Sequence, residues 1–478
     1  MEATDTIFAI PTYRLRDVPE TVERYDENFW LNGHEVALIV FDDSSLVNYH
    51  KYYAQLEATR TANPLYYVGP REKEQFIQIL LHRLREPKLE GLVRNLFRPS
   101  YGGNRNFTLM YSLGAFLVSS DDDMRPSALI EHSPESLAPD EICRGKLMKA
   151  KAGGFEGRSF DLLTAFDDVL RKTVRDLPGN YEKGDLVTDT SIDLETNTTT
   201  TFSRENSLIL HRGKVPAKAV VKIAQTFRTG TNDIDALDYV EMFLDDEQQL
   251  DPYSLNDVYV LVNFRPVVTN NNWRIDCGVA AYDNRYGLPP FFPTRLLFED
   301  YIYRLWIQQS KIVSAHVDVA QRHMKNNYMR NPLAMEVFNE ELCSLLKRRI
   351  KDSVFRRDDL SIAFHYAGEV ALEESEAILR KVTAVHKRVL AAADRAHDPE
   401  RALALRAFAA NLAKSFYGSE PDFFQQNVSR IVDDVISQIR GSLELWPTLV
   451  EICYFRKDKA PLPRTRVRNQ PRNNGKSR

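Results

Sequence analysis

Residues 113–120 read LGAFLVSS, and the next three are Asp121, Asp122 and Asp123, followed by Met124-Arg125-Pro126. A short apolar run of this kind reads as a buried strand, so the acids stand where a strand stops. Three adjacent carboxylates repel and push one another's pKa up. A hard divalent cation relieves that repulsion, because Mg2+ or Mn2+ prefers carboxylate oxygen and keeps positions open for phosphate. Taken alone, the triplet reads equally well as a solvated acidic loop. The residues before it separate the two readings.

Upstream, strands and helices alternate. Residues 6–10 (TIFAI) form a short strand that Pro11-Thr12-Tyr13 breaks. A helix follows, with Pro19 near its start and Val22, Tyr25 and Phe29 on one face. Residues 34–41 (HEVALIVF) make a second strand ending at Asp42-Asp43-Ser44-Ser45. Helices are expected over about 49–61, 71–97 and 106–113, with a third short strand at 65–68. Such alternation predicts a mostly parallel sheet with helices on both faces. Ligands bind these sheets at strand carboxyl ends, where Pro11, Asp42-Asp43 and the triplet all fall.

The chain divides into a first unit at 1–140, a second at 141–330, a helical domain at 331–452 and a basic tail at 453–478. In the middle, 258–264 (VYVLVNF) and 273–281 (WRIDCGVAA) read as strands on β-branched and aromatic content. Residues 159–174 read as a helix, and the Thr-rich stretch 185–201 as loop or hairpin. From about 333 to 449 apolar residues recur at helical spacing, which suggests three or four packed helices as a separate satellite domain.

Charge is unevenly placed. The chain of 478 residues carries a net −4, yet from Arg456 onward nine Lys or Arg face the single acid Asp458. The tail is expected to be disordered and either to touch anionic lipid at the inner membrane face or a polyanion, or to solubilise the chain without a specific partner. The acidic body argues against nucleic acid as a partner. No stretch reaches the roughly 18–20 apolar residues of a membrane helix, and the start lacks a secretory pattern, so a cytoplasmic protein is expected. Cys143, Cys277, Cys343 and Cys453 are widely separated, which suggests neither disulfides nor a zinc site.

Four segments in order carry a resemblance: strand-PTYR, strand-DDSS, Gly102-Gly103-Asn104-Arg105-Asn106 and strand-DDD. They look like the nucleotide-binding half of glycosyltransferases of the GT-A type, above all the large inverting family-2-like group, over about 125 residues. The fold the resemblance implies is α/β: a GT-A, nucleotide-diphospho-sugar-transferase, Rossmann-like and mostly parallel sheet, joined here to an α-helical C-terminal domain. It implies that Pro11, Thr12 and Tyr13 line the base and ribose pocket, with Asp42 or Asp43 accepting from base or ribose. Arg105 and Asn106 are expected near the donor nucleotide, as is Asp122. Asp121 would hold the ribose, and Asp123, with Asp121, the Mn2+ or Mg2+ that bridges the diphosphate of a UDP- or GDP-sugar. Arg14 stands where the family has Asn, and Asn104 where it has a small residue.

The resemblance also implies a base after the proline cluster Pro289-Pro290 and Pro293. Phe298-Glu299-Asp300-Tyr301 opens a helix there. Asp300, with Glu299 as second choice, would deprotonate an unidentified acceptor hydroxyl; acids favoured by the helix dipole are the structural alternative. His316 is a candidate third metal ligand and His323 a weaker one, against a capping or core role. Arg322, Lys325 and Arg330 suit a diphosphate or a solvated helix face. The function implied is metal-dependent transfer of a sugar to a hydroxyl, inverting with a carboxylate base. A retaining enzyme, a sugar-nucleotidyltransferase and a non-catalytic nucleotide-sugar-binding scaffold are the rivals.

Overall fold

The computed structural model describes residues 6–14, 17–131, 141–149, 155–177, 187–188, 201–202, 207–211, 215–216, 218–228, 258–264, 267–269, 278–292, 299–310, 312–323, 360–417, 423–457 and 461–472. From the N-terminus run β1 (Thr6–Thr12), α1 (Val18–Leu31), β2 (Ala37–Asp42), α2 (Tyr49–Glu57), β3 (Arg60–Thr61) and β4 (Leu65–Val68). Then come α3 (Pro70–Leu84), α4 (Glu90–Leu96), α5 (Tyr101–Tyr111), β5 (Phe116–Ser120), β6 (Met124–Glu131), β7 (Glu141–Lys149), β8 (Phe155–Ser159) and α6 (Leu162–Asp167). The middle adds β9 (Val187–Thr188), β10 (Thr201–Phe202), β11 (Ser207–His211), β12 (Val215–Pro216), β13 (Val221–Arg228), β14 (Val258–Phe264), β15 (Val267–Thr269) and β16 (Val279–Asp283). The last part holds α7 (Glu299–Gln309), β17 (Val313–His323), α8 (Leu360–Arg395), α9 (Pro399–Tyr417), α10 (Phe423–Lys457), β18 (Thr465–Arg466) and β19 (Gln470–Pro471).

Eleven strands form one sheet in the order β18-β4-β2-β1-β5-β16-β13-β17-β6-β8, with β15 on β17. Its β4, β2, β1 and β5 run parallel, as the strand–helix alternation suggests. Beyond β5 the sheet becomes mixed, because β16 enters antiparallel. The strand order switches at β1, with β2 on one side and β5 on the other. That switch opens a crevice at the carboxyl ends of these strands.

Period-2 side-chain alternation explains why the strands are apolar on both faces. Phe8, Ile10, Leu38 and Val40 join one buried cluster with Val22, Tyr25 and Phe29 of α1 and Tyr52 of α2. Ala9, Ile39 and Phe41 point the other way, into a cluster with Phe76 of α3 and Phe107 of α5.

The second cluster also contains Val382, Val385 and Val389 of α8, Leu412 of α9, and Trp446 and Leu449 of α10. Trp446 stacks on Phe97 and donates its Nε1 hydrogen to the Leu288 carbonyl at 2.7 Å. The helices expected as a separate satellite therefore share the core of the sheet. Of the three helices it is α10 that packs on α3 and α4, while α8 and α9 pack on each other and on α10.

The tail differs from the expected disorder over residues 461–472. There β18 pairs antiparallel with β4, and β19 pairs parallel with β3. Val467 is buried, and Arg464 lies over the Tyr66 ring at 4.2 Å. Arg472 reaches Glu27 at 3.3 Å and the buried Asp26 at 3.6 Å. Backbone pairing, the buried Val467 and the Arg472 ion pairs together hold this segment on the body, contacts that composition alone does not show.

Local boundaries differ too. The helix expected over 159–174 shortens to α6, which Asp161 caps by accepting from the Thr164 amide at 3.1 Å. The strand at 258–264 is β14, whereas of 273–281 only residues from 278 on are described and Val279–Asp283 is strand. No helix among the described residues is long and apolar enough to cross a membrane.

Candidate functional site

A cavity of about 410 Å³ lies at the crevice. Four separate segments line it: Pro11 to Arg14 at the end of β1, Asp43 after β2, Pro99 to Tyr101 with Asn104 and Arg105 at the start of α5, and Asp121 with Asp122 after β5. Helix α5 begins earlier than the sequence suggests. Ser100 is its N-cap and accepts from the Gly103 amide at 3.0 Å, so the glycine-rich segment is the first turn of the helix. A Cβ on Gly103 would collide with the Arg98 carbonyl, which explains glycine at that position. The N-terminus of α5, with its partial positive charge, opens on the cavity.

The two acids after β2 divide their tasks. Asp42 is fully buried and does not line the cavity. Its oxygens accept from Tyr67 Oη at 2.6 Å and from the Ser44 amide and hydroxyl, both at 2.6 Å. Burial and the Asp42 charge raise the Tyr67 phenol, so the hydroxyl stays a donor. Asp43 lines the cavity instead, accepting from Lys73 Nζ and from the Ser100 amide at 3.1 Å. Burial raises its carboxyl above the ordinary value, with Lys73 opposing. Lys73 also donates to Asn104 Oδ1 at 2.7 Å, and Asn104 Nδ2 donates to the Phe41 carbonyl at 2.9 Å.

After β5 the chain turns at the triplet. The Asp121 amide donates to the Gly278 carbonyl at 2.8 Å, and the Met124 amide to the Asp121 carbonyl at 3.3 Å. Asp121 pairs with Arg105 Nη2 at 2.8 Å. Asp122 accepts from Thr12 Oγ1 at 2.6 Å, from Arg14 Nε at 3.2 Å, and from Arg14 Nη2. Asp123 pairs with the same Arg14 Nη2 at 2.9 Å. Burial raises the Asp122 carboxyl above the ordinary range, with Arg14 and Thr12 opposing and Asp123 reinforcing it. Burial works against the Arg14 charge, but Asp123 and Asp122 outweigh it and make its proton harder to remove.

Arg105 joins both halves of the sheet. Its Nε donates to Glu299 Oε1 at 2.9 Å, at the start of α7, while Nη2 holds Asp121. Glu299 is almost wholly buried. Burial raises its carboxyl above the ordinary value; Arg105 opposes the shift and Asp121 adds to it. Asp300, the next residue, is half-buried and does not line the cavity.

Tyr13 and Tyr101 stand at the rim, ring centroids 5.9 Å apart and edge-to-face, with their hydroxyls 3.2 Å apart. Both remain exposed, which leaves aromatic surface available to a flat ligand.

The structure thus gathers Pro11, Thr12, Tyr13, Asp43, Arg105, Asp121 and Asp122 at one cavity. Three of the residues expected to hold the donor or the metal do not line it. Asp42 is the first. Asn106 is wholly buried and bonds to the Leu96 carbonyl at 2.8 Å and to both the Phe291 carbonyl and amide, at 2.8 and 2.7 Å. It ties α5 to the segment before α7 and satisfies buried backbone groups there. Asp123 sits behind the cavity wall on Arg14.

Arg14, Lys73, Ser100 and Tyr101 take part although sequence reasoning assigned them no role. Arg14 and Tyr101 flank the motif residues and could have been found by that proximity; Lys73 has no local signal. The side chains of His316, His323 and Arg322, and residues Lys325 and Arg330 altogether, lie outside the described residues.

The acids do not converge as ligands of a divalent cation. Asp121 faces Arg105, while Asp122 and Asp123 face Arg14. Among the described residues no group of three or more His, Cys, Asp or Glu is arranged to hold a metal ion. This donor set, occupied by arginines, does not fit Mn2+ or Mg2+ in the arrangement seen.

What fold and site define is an α/β protein with a charged cavity at the carboxyl ends of parallel strands. No family model matches the sequence, and no curated protein matches it. Among solved structures, a mannosyltransferase from Pyrobaculum calidifontis in complex with GDP-Man and Mn2+ aligns over 92% of this chain and 87% of its own, at 11% identity and a TM-score of 0.30. A likeness that distant transfers no residue role.

Proposed function

We propose that the chain is a glycosyltransferase that takes a nucleoside-diphosphate sugar in the 410 Å³ cavity and transfers the sugar to a hydroxyl acceptor. One observation carries the proposal: four separate segments between Pro11 and Asp122 meet at the switch point of the parallel strands, in the order the resemblance implies. A cavity of this size suits a nucleotide. The exposed rings of Tyr13 and Tyr101 offer the base an aromatic edge, and Asp43 offers an acceptor for base or ribose hydrogens. The guanidinium of Arg105 and the open end of α5 favour the diphosphate.

Asp300 is the proposed base, reached by an acceptor entering from the α7 side, and transfer then inverts the anomeric centre. Glu299 is a positioning residue. Its pair with Arg105 fixes the guanidinium at the cavity wall.

The test is incubation of the full chain with a panel of UDP- and GDP-sugars and hydroxyl acceptors. Release of UDP or GDP is the expected result. Pyrophosphate release would point to a nucleotidyltransferase, and absence of turnover with retained nucleotide binding to a non-catalytic protein. Asp300→Asn should lower transfer by about 100-fold or more, the scale of general-base catalysis, while leaving nucleotide affinity intact. Undiminished transfer would remove Asp300 from the mechanism.

A further inference from the structure

The resemblance implies a divalent cation at the triplet, and the triplet's carboxylates are engaged otherwise. We infer that Arg14 is the built-in cation of this cavity, occupying the place of a divalent metal and meeting the diphosphate directly, so that nucleotide binding needs no metal ion. The inference rests on the nucleotide-sugar reading of the cavity and concerns how that cavity neutralises the donor's charge.

Asp122 and Asp123 are 2% and 5% exposed, and an ion shared between them would have to sit where the Arg14 guanidinium sits. Arg14 Nε and Nη2 serve these two carboxylates, while its Nη1 hydrogens have no protein partner among the described residues. A guanidinium carries five N–H donors and cannot lose its charge in a protein. One edge can therefore grip the carboxylates while the other meets an anion.

Geometry places that other edge suitably. The Arg14 side chain keeps 28% of its surface exposed and lines the cavity, whereas Asp122 on the same wall and Asp123, which does not line it, are nearly sealed off. Its orientation is fixed locally: the Arg14 amide donates to Thr12 Oγ1 at 3.0 Å, and Thr12 Oγ1 donates to Asp122 at 2.6 Å. A second guanidinium, Arg105, lines the same cavity, held by Asp121 and Glu299. Two arginines and the N-terminus of α5 thus face one space. Guanidinium–phosphate pairs are frequently bidentate and twice as strong as neutral hydrogen bonds. A metal ion would have to displace a charge-assisted pair from each of two buried acids before binding.

The test uses the full chain, with UDP and GDP as probes in calorimetric titrations, once in EDTA and once in excess Mn2+. Wild-type affinity is expected to agree within about threefold between the two conditions. Arg14→Ala should weaken binding at least tenfold in EDTA and regain part of it in Mn2+, because the variant exposes the carboxylates to the ion. A tenfold or larger gain for the wild type on adding Mn2+ would overturn the inference and leave the nucleotide-sugar reading standing. Unchanged affinity of the Arg14→Ala variant in EDTA would overturn it equally. Failure of the wild type to bind either nucleotide in both buffers would sink the reading and the inference together. If the Ala variant does not fold, electron paramagnetic resonance titration of Mn2+ into the wild type with UDP decides: no tight manganese site is expected, and a tight one refutes the claim.

Discussion

Two strand ends in this molecule carry clustered acids, and each handles them differently. After β2, Asp42 is closed off by Tyr67 and Ser44, and Asp43 is matched by Lys73, which is itself 7% exposed. After β5, Asp121 is matched by Arg105, and Asp122 with Asp123 by Arg14. The first end has its cation sealed away, and of its two acids only Asp43 reaches the cavity. The second keeps a half-open guanidinium at the surface of the cavity. Acidity at a strand end is therefore not a function in itself; what distinguishes the two is how exposed the matching cation remains.

The comparison breaks most readily at Arg105. Arg105→Ala should cost about 3–5 kcal/mol in chemical denaturation, the scale of a buried ion pair losing one partner. The cost depends on pH. Burial holds the folded Glu299 pKa above its usual 4.5, so the folded state keeps that proton to higher pH than the unfolded chain. A raised carboxyl pKa favours the folded state at low pH, and that contribution is lost as pH rises through the folded value. Without Arg105 the pKa climbs further, and the variant should lose more stability at pH 8 than at pH 5. An equal loss at both would show that Glu299 is not the group involved.

Lys73→Met tests the sealed end. It leaves Asp43 with the Ser100 amide alone and should cost about 2–3 kcal/mol, less than Arg105→Ala because the acid can take up a proton. Equal or greater loss would reverse the ranking of the two ends. Tyr67→Phe should have the smallest effect, about 1–2 kcal/mol for one hydrogen bond to a charged group, without altering nucleotide affinity. A change in affinity would return Asp42 to the binding site.

Much of this was legible in the sequence. The apolar runs at 6–10, 34–41, 65–68 and 113–120 and the turns after them placed four strands and the crevice, because period and turn chemistry are local properties. The division of Asp42 from Asp43 was not legible: one residue of register decides which face a side chain takes, and Tyr67 and Lys73 arrive from other elements. Asn106 followed the motif by position, yet its partners are the carbonyls of Leu96 and Phe291. The tail read as disordered from composition alone. Its order comes from Asp26, Glu27 and Tyr66, more than 390 residues away in sequence.

The most direct measurement is a crystal structure of the full chain soaked with UDP or GDP. The base is expected against Tyr13 and Tyr101, and the diphosphate within hydrogen-bonding reach of Arg14 and Arg105. A nucleotide bound at another place, or a cavity that stays without one at saturating concentration, would contradict the account.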